Sequence, residues 1–105
     1  MSVLQGVFLE EISRLEKNIF NYKKMLSSLP KGSLFIRRMG NSEFVYRRRK
    51  ENGKVISEYL GNINSSNAKE QISLSEEYKR INNNIKIAEK ELLKLKKAYK
   101  IYDRK

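Results

Sequence analysis

Asn52-Gly53 lies between two runs rich in aromatic, β-branched and basic residues, Glu43 to Lys50 and Lys54 to Leu60. A two-residue type I′ turn needs positive φ at both central positions, and asparagine and glycine tolerate this best, so the dipeptide predicts a hairpin and sets its register. Glu51 then faces Lys54, Arg49 faces Ile56, Arg47 faces Glu58 and Tyr46 faces Tyr59. A third run, Ser33 to Arg38, precedes the weaker turn signal Gly40-Asn41. Residues 31–61 therefore read as a basic, three-stranded antiparallel β-meander.

The flanks follow a different period. Phe8, Ile12, Leu15, Ile19, Tyr22, Leu26 and Leu29 recur at alternating spacings of four and three, the seam of a coiled-coil-like helix. Pro30 disfavours helical geometry in the residue before it and ends the pattern, so helix one occupies 1–29. Leu74, Tyr78, Ile81, Ile85, Ala88, Leu92, Leu95 and Tyr99 repeat in the same way and predict helix two over 67–103. Ser65, Ser66 and Asn67 all offer N-caps, and Asn67 is favoured because it places Glu70 at the third helical position. Two such seams joined through a sheet should pair as a helical hairpin. The expected fold is α+β: one domain over 1–105, a long antiparallel helical hairpin with the meander inserted between its helices, in the order helix-β-β-β-helix. Val7, Phe20, Met25, Ile72, Ile87, Leu93 and Ile101 fall outside the seams, and a homodimer would bury them.

Charge narrows the function. The chain carries 23 Lys and Arg against 12 Asp and Glu, a formal net charge of +11, which makes polyanions the first class of partner. Residues 31–60 hold eight basic and three acidic side chains, 8 − 3 = +5, and residues 68–105 hold eleven and six, 11 − 6 = +5. The first 30 residues contribute only 4 − 3 = +1. Lys94, Lys96, Lys97 and Lys100 form a secondary basic patch near the end of helix two, where they also complement the helix dipole.

Within the meander, side chains alternate between faces. Phe44, Tyr46, Arg48, Val55, Ser57 and Tyr59 share one face, joined by Leu34 and Ile36 if the first hairpin turns through a three-residue loop, Met39-Gly40-Asn41. This aromatic face is expected to meet the helices. The opposite face would present Phe35, Arg37, Val45, Arg47, Arg49 and Lys54 outward. Guanidinium forks bind phosphates or guanine bidentately, and a sheet can enter a major groove. Charge defending the sheet against aggregation, partly neutralised through Arg37–Glu43 and Arg47–Glu58 pairs, is the plainer account of the same residues.

FVYRRRKENGKVISEYLG, a polar connection and NAKE at a helix start resemble the arm-type DNA-binding modules of tyrosine recombinases and related mobile-element proteins, over residues 33–80. The resemblance implies three antiparallel strands on a C-terminal helix, the sheet in the major groove, and Tyr46, Arg47, Arg49 and Lys54 as contact positions. The long preceding heptad helix and the extended last helix depart from that pattern. The LPKG, basic-sheet and YLG arrangement is also similar to short proteins of bacteria and phages.

Two function classes follow. One is a nucleic-acid-binding protein of phage or mobile-element origin, its arginine-rich sheet face contacting duplex DNA before RNA, using Arg37, Arg38, Tyr46, Arg47, Arg48, Arg49, Lys50 and Lys54. The other is an interaction or inhibitor module that blocks a nucleic-acid-handling protein complex. With no Cys and no His, the chain has no thiolate metal site and lacks the commonest general base, so no enzyme, metal or cofactor is expected. Glu10-Glu11 and Glu76-Glu77 are adjacent on helices and point about 100° apart, which keeps either pair from flanking one bond. MSVLQGVFLEE lacks a signal-peptide pattern and no apolar run reaches about 18 residues, so a cytoplasmic protein without membrane association is expected.

Overall fold

The computed structural model describes residues 2–104. Its elements run α1 (Val3–Ser27), β1 (Ser33–Met39), β2 (Ser42–Glu51), β3 (Lys54–Asn62) and α2 (Ser66–Asp103), the expected helix-β-β-β-helix order. Two compact units form: α1 with the part of α2 from Arg80 onward, and Leu29–Lys79. No helix among the described residues is long and apolar enough to cross a membrane.

In the helical unit the seams meet as their periodicity requires. Leu15 and Ile19 of α1 and Ile81, Ile85 and Ala88 of α2 are buried. Phe8 packs against Tyr99 and Tyr102, with ring centroids 6.1 and 5.8 Å away. Gln5 Nε2 donates to Asp103 Oδ1, so the start of α1 lies beside the end of α2 and the pair is antiparallel. Ser2 caps α1, its hydroxyl accepting from the Gln5 amide while the Gln5 side chain accepts from the Ser2 amide, the reciprocal arrangement that satisfies two otherwise orphan donors. Within α1, the Arg14 guanidinium hydrogen-bonds Glu11 and holds its carboxyl below the ordinary value. Of the apolar residues outside the seams, Val7, Phe20, Met25, Ile87, Leu93 and Ile101 are exposed, whereas Ile72 packs on the core of the sheet unit.

The sheet has the order β1-β2-β3 with both pairings antiparallel. Asn52 (φ 51°) and Gly53 (φ 78°) supply the two positive φ values of a type I′ turn. The β2–β3 register matches the pairing read from that dipeptide at all four positions, from Glu51–Lys54 to Tyr46–Tyr59. Beyond Tyr46 a bulge shifts the ladder, so that Val45 faces Gly61 and Leu60 is the extra residue on β3. Gly61 has φ 123°, and a Cβ there would stand 2.7 Å from Ser65 Oγ, so the bulge and the cap that follows both need the missing side chain.

The first hairpin differs from expectation. Met39 pairs with Ser42, leaving a two-residue turn, Gly40-Asn41, with positive φ (64°) at Gly40 alone. A glycine at the first central position suits a type II′ turn, whose twist matches that of the flanking strands. The N-cap of α2 differs too. Ser65 Oγ accepts from the Ala68 amide at 3.2 Å, while the Asn67 side chain donates instead to the Leu60 carbonyl at 2.7 Å and ties the helix start to β3.

Candidate nucleic-acid interface

Shortening the first turn by one residue reverses the faces of β1 relative to β2, because side chains alternate with a period of two. Phe35 faces Tyr46, Arg37 faces Phe44 and Ser33 faces Arg48, so Phe35 and Arg37 join the aromatic face, while Leu34 and Ile36 join Val45 and Arg47 on the other.

That second face is the one that packs. Val45, Leu60 and Ala68 form its buried core, with Leu34, Ile63 and Ile72 packed around them. The expectation that the aromatic face meets a helix is therefore reversed: the aliphatic residues seat on the first turns of α2, and the aromatic face is left to solvent. Burial follows chemistry here, since Val, Leu and Ala have no polar atom needing a partner.

The arginines divide accordingly. Arg47, 11% exposed at its side chain, donates to Gln71 Oε1 on α2 and approaches Glu58 at 3.8 Å. Arg38 pairs with Glu43 at 2.9 Å, where Arg37 had been expected to do so; the two-residue turn places Arg38, not Arg37, opposite Glu43. Arg49 lies 3.7 Å from Glu51, and Lys54 is opposite Glu51 on the same face. Glu43, Glu51 and Glu58, the acidic residues of the meander, are thus all on the packed face.

The aromatic face holds Phe35, Arg37, Phe44, Tyr46, Arg48, Lys50, Val55, Ser57 and Tyr59 by register. Phe35 and Tyr46 stack with centroids 5.3 Å apart and planes inclined by 15°. Tyr46 meets Tyr59 at 5.4 Å, and Phe44 meets Tyr59 at 6.1 Å, so a connected group of rings crosses the sheet from β1 to β3. The Arg48 guanidinium lies 4.6 Å from the Phe35 ring centroid, a cation–π contact. Arg37, Arg48 and Lys50 are exposed, and none has a carboxylate partner among the described residues.

Four of the eight basic or tyrosine positions expected to bind, Arg37, Tyr46, Arg48 and Lys50, are brought together on this face; Arg38, Arg47, Arg49 and Lys54 are on the other. Phe35, Phe44 and Tyr59 were not among the expected contact residues. The alternation of Phe44, Tyr46 and Arg48 with the Tyr46–Tyr59 pairing was available to find two of them, and only the loop length hid Phe35. Lys94, Lys96, Lys97 and Lys100 are all exposed on α2 in the helical unit.

These features define a small basic protein with a helix-β-β-β-helix fold and a solvent-facing aromatic sheet that bears cations but no acid. The chain belongs to the family described as domain of unknown function DUF6788, whose model matches residues 9–70, from within α1 through the sheet to the start of α2. No curated protein and no solved structure matches the chain.

Proposed function

We propose that the protein binds nucleic acid through the aromatic face of its sheet. One observation supports this above the rest: the meander separates its charges by face, with Arg37, Arg48 and Lys50 among the rings and every carboxylate on the opposite side. Cations placed only to keep a sheet soluble would serve equally well with neighbouring acids, as Arg38, Arg47 and Arg49 do. Unpaired guanidinium and ammonium groups around aromatic rings instead match a ligand that offers phosphates and flat bases together. The net charge of +11 adds a long-range attraction to polyanions. The resemblance of residues 33–80 to arm-type DNA-binding modules points to the same ligand class, with a different set of contact residues. The chain is not proposed to be an enzyme.

The test is fluorescence anisotropy with labelled single-stranded and duplex oligonucleotides across a salt series. Wild-type protein should bind at low salt, with log affinity falling linearly in log salt by about 0.7 to 0.9 per phosphate neutralised. Replacing Arg37 and Arg48 together by Ala should weaken binding and flatten the slope by roughly one unit per lost phosphate contact. Absence of binding to every oligonucleotide at low salt would refute the proposal, and the same face would then be sought at an acidic protein surface of a nucleic-acid-handling complex.

A further inference from the structure

We infer that the ligand of this face is unpaired, single-stranded nucleic acid rather than a duplex; the inference rests on the nucleic-acid proposal above and sharpens it. In a duplex the flat faces of the bases are stacked on one another, leaving only edges in the grooves and phosphates on the outside. Aromatic rings can engage neither to advantage. An unpaired base exposes its π-face, and every base has one, so a ring platform recognises single strands with little regard to sequence.

The placement of residues follows that division of labour. Rings occupy two successive rows of the face, and cations stand at both ends of that group, beside its first row and past its last. Arg37 is level with Phe44, while Arg48 and Lys50 lie further along β2 past Tyr46. At about 3.3 Å per residue, the four steps from Phe44 to Arg48 separate the two cationic ends by roughly 13 Å, long enough for a chain of nucleotides to place bases over the rings and phosphates at both ends. A duplex-reading sheet needs the reverse, long polar side chains at its centre to reach base edges.

Among the rings, Tyr59 is the open one. Phe35 is occupied by Arg48 and Tyr46, and Tyr46 is braced by Phe35 and Tyr59. Tyr59 is 57% exposed and has Phe44 and Tyr46 supporting it, and Val55 on the same strand face is 59% exposed. Large apolar surface left in water on the face that also lacks acids is explained if a base covers it.

The experiment compares full-length wild type, Tyr59→Leu and Tyr59→Phe with three probes: an oligothymidylate and an oligouridylate of about ten nucleotides, within the site sizes of single-strand grooves, and a blunt duplex of equal length. Leucine keeps apolar bulk and loses the π-face; phenylalanine keeps the ring. The expected result is tighter binding to one or both single strands than to the duplex, loss of about 5- to 150-fold with Tyr59→Leu, and retention with Tyr59→Phe. The two single strands separate DNA from RNA as the source of the unpaired bases. Duplex binding as tight as single-strand binding, with Tyr59→Leu unchanged, overturns the single-strand inference and leaves the nucleic-acid proposal standing. Failure of all three probes to bind wild type at low salt overturns both.

Discussion

Arg47 and Arg48 are adjacent in sequence, identical in chemistry and on opposite faces of β2, so substituting each by Ala separates a structural role from a binding role. Arg47 is nearly buried and donates to Gln71, tying β2 to α2. A hydrogen bond from a charged donor is worth about 1.5 to 3 kcal/mol net, and the partly exposed pair with Glu58 adds at most about 1 kcal/mol. Glu58 is 44% exposed and Arg47 leaves it to water, so no buried charge is stranded. Arg47→Ala should therefore lower stability by about 2 to 3 kcal/mol, read as a reduced midpoint in urea followed by circular dichroism. Its affinity for oligonucleotide, measured where the variant remains folded, should match wild type. Arg48→Ala should do the opposite, weakening binding while stability in urea changes by less than about 1 kcal/mol, the size of its exposed cation–π contact. If Arg47→Ala loses binding at unchanged stability, the outward face has been misidentified.

Three further outcomes test other parts of the structure. At Gly32, with φ 107°, an added Cβ would stand 2.6 Å from the Arg48 carbonyl oxygen, whereas at Gly40, with φ 64°, it would meet nothing within 4 Å. Gly32→Ala should then cost clearly more in urea denaturation than Gly40→Ala, for which about 1 to 2 kcal/mol of left-handed strain is expected. Exchanging Lys96 and Lys97 for Glu should change oligonucleotide affinity less than the Arg37 and Arg48 substitutions do, measured by anisotropy in the same buffer. A homodimer, in which a second copy covers exposed residues such as Phe20, Met25 and Leu93, should appear in sedimentation equilibrium, and a monomer at high micromolar concentration would remove it.

The helices were legible because a heptad is a repeated signal. Fifteen seam positions, Phe8 to Leu29 and Leu74 to Tyr99, reinforce one another, and each is buried or half-buried in the structure, so no single residue had to decide the outcome. The second hairpin was legible for a different reason: Asn-Gly admits one common two-residue turn, and the turn sets the register. Helix capping was less so, because Ser65, Ser66 and Asn67 are chemically similar. What decided among them was a contact distant in sequence, the Asn67 side chain with the Leu60 carbonyl.

The site turned on a single residue of loop length. Gly40-Asn41 is compatible with turns of two or three residues, and the two differ by one step of register, which moves Phe35 and Arg37 from one face of the sheet to the other. Local propensity at Met39 does not discriminate between them, but burial does. With a two-residue turn Leu34 and Val45 fall on one side and pack with Leu60, Ala68 and Ile72, while the group Phe35, Tyr46 and Tyr59 forms on the other. With three residues, each face would mix aromatic, aliphatic and charged side chains, and Phe35 would be set among Arg47, Arg49 and Glu58 on the packed side. The aliphatic pair Leu34 and Val45 on β1 and β2 therefore specifies the turn from a distance, and in doing so it also decides which arginines reach solvent among rings and which are neutralised by acids.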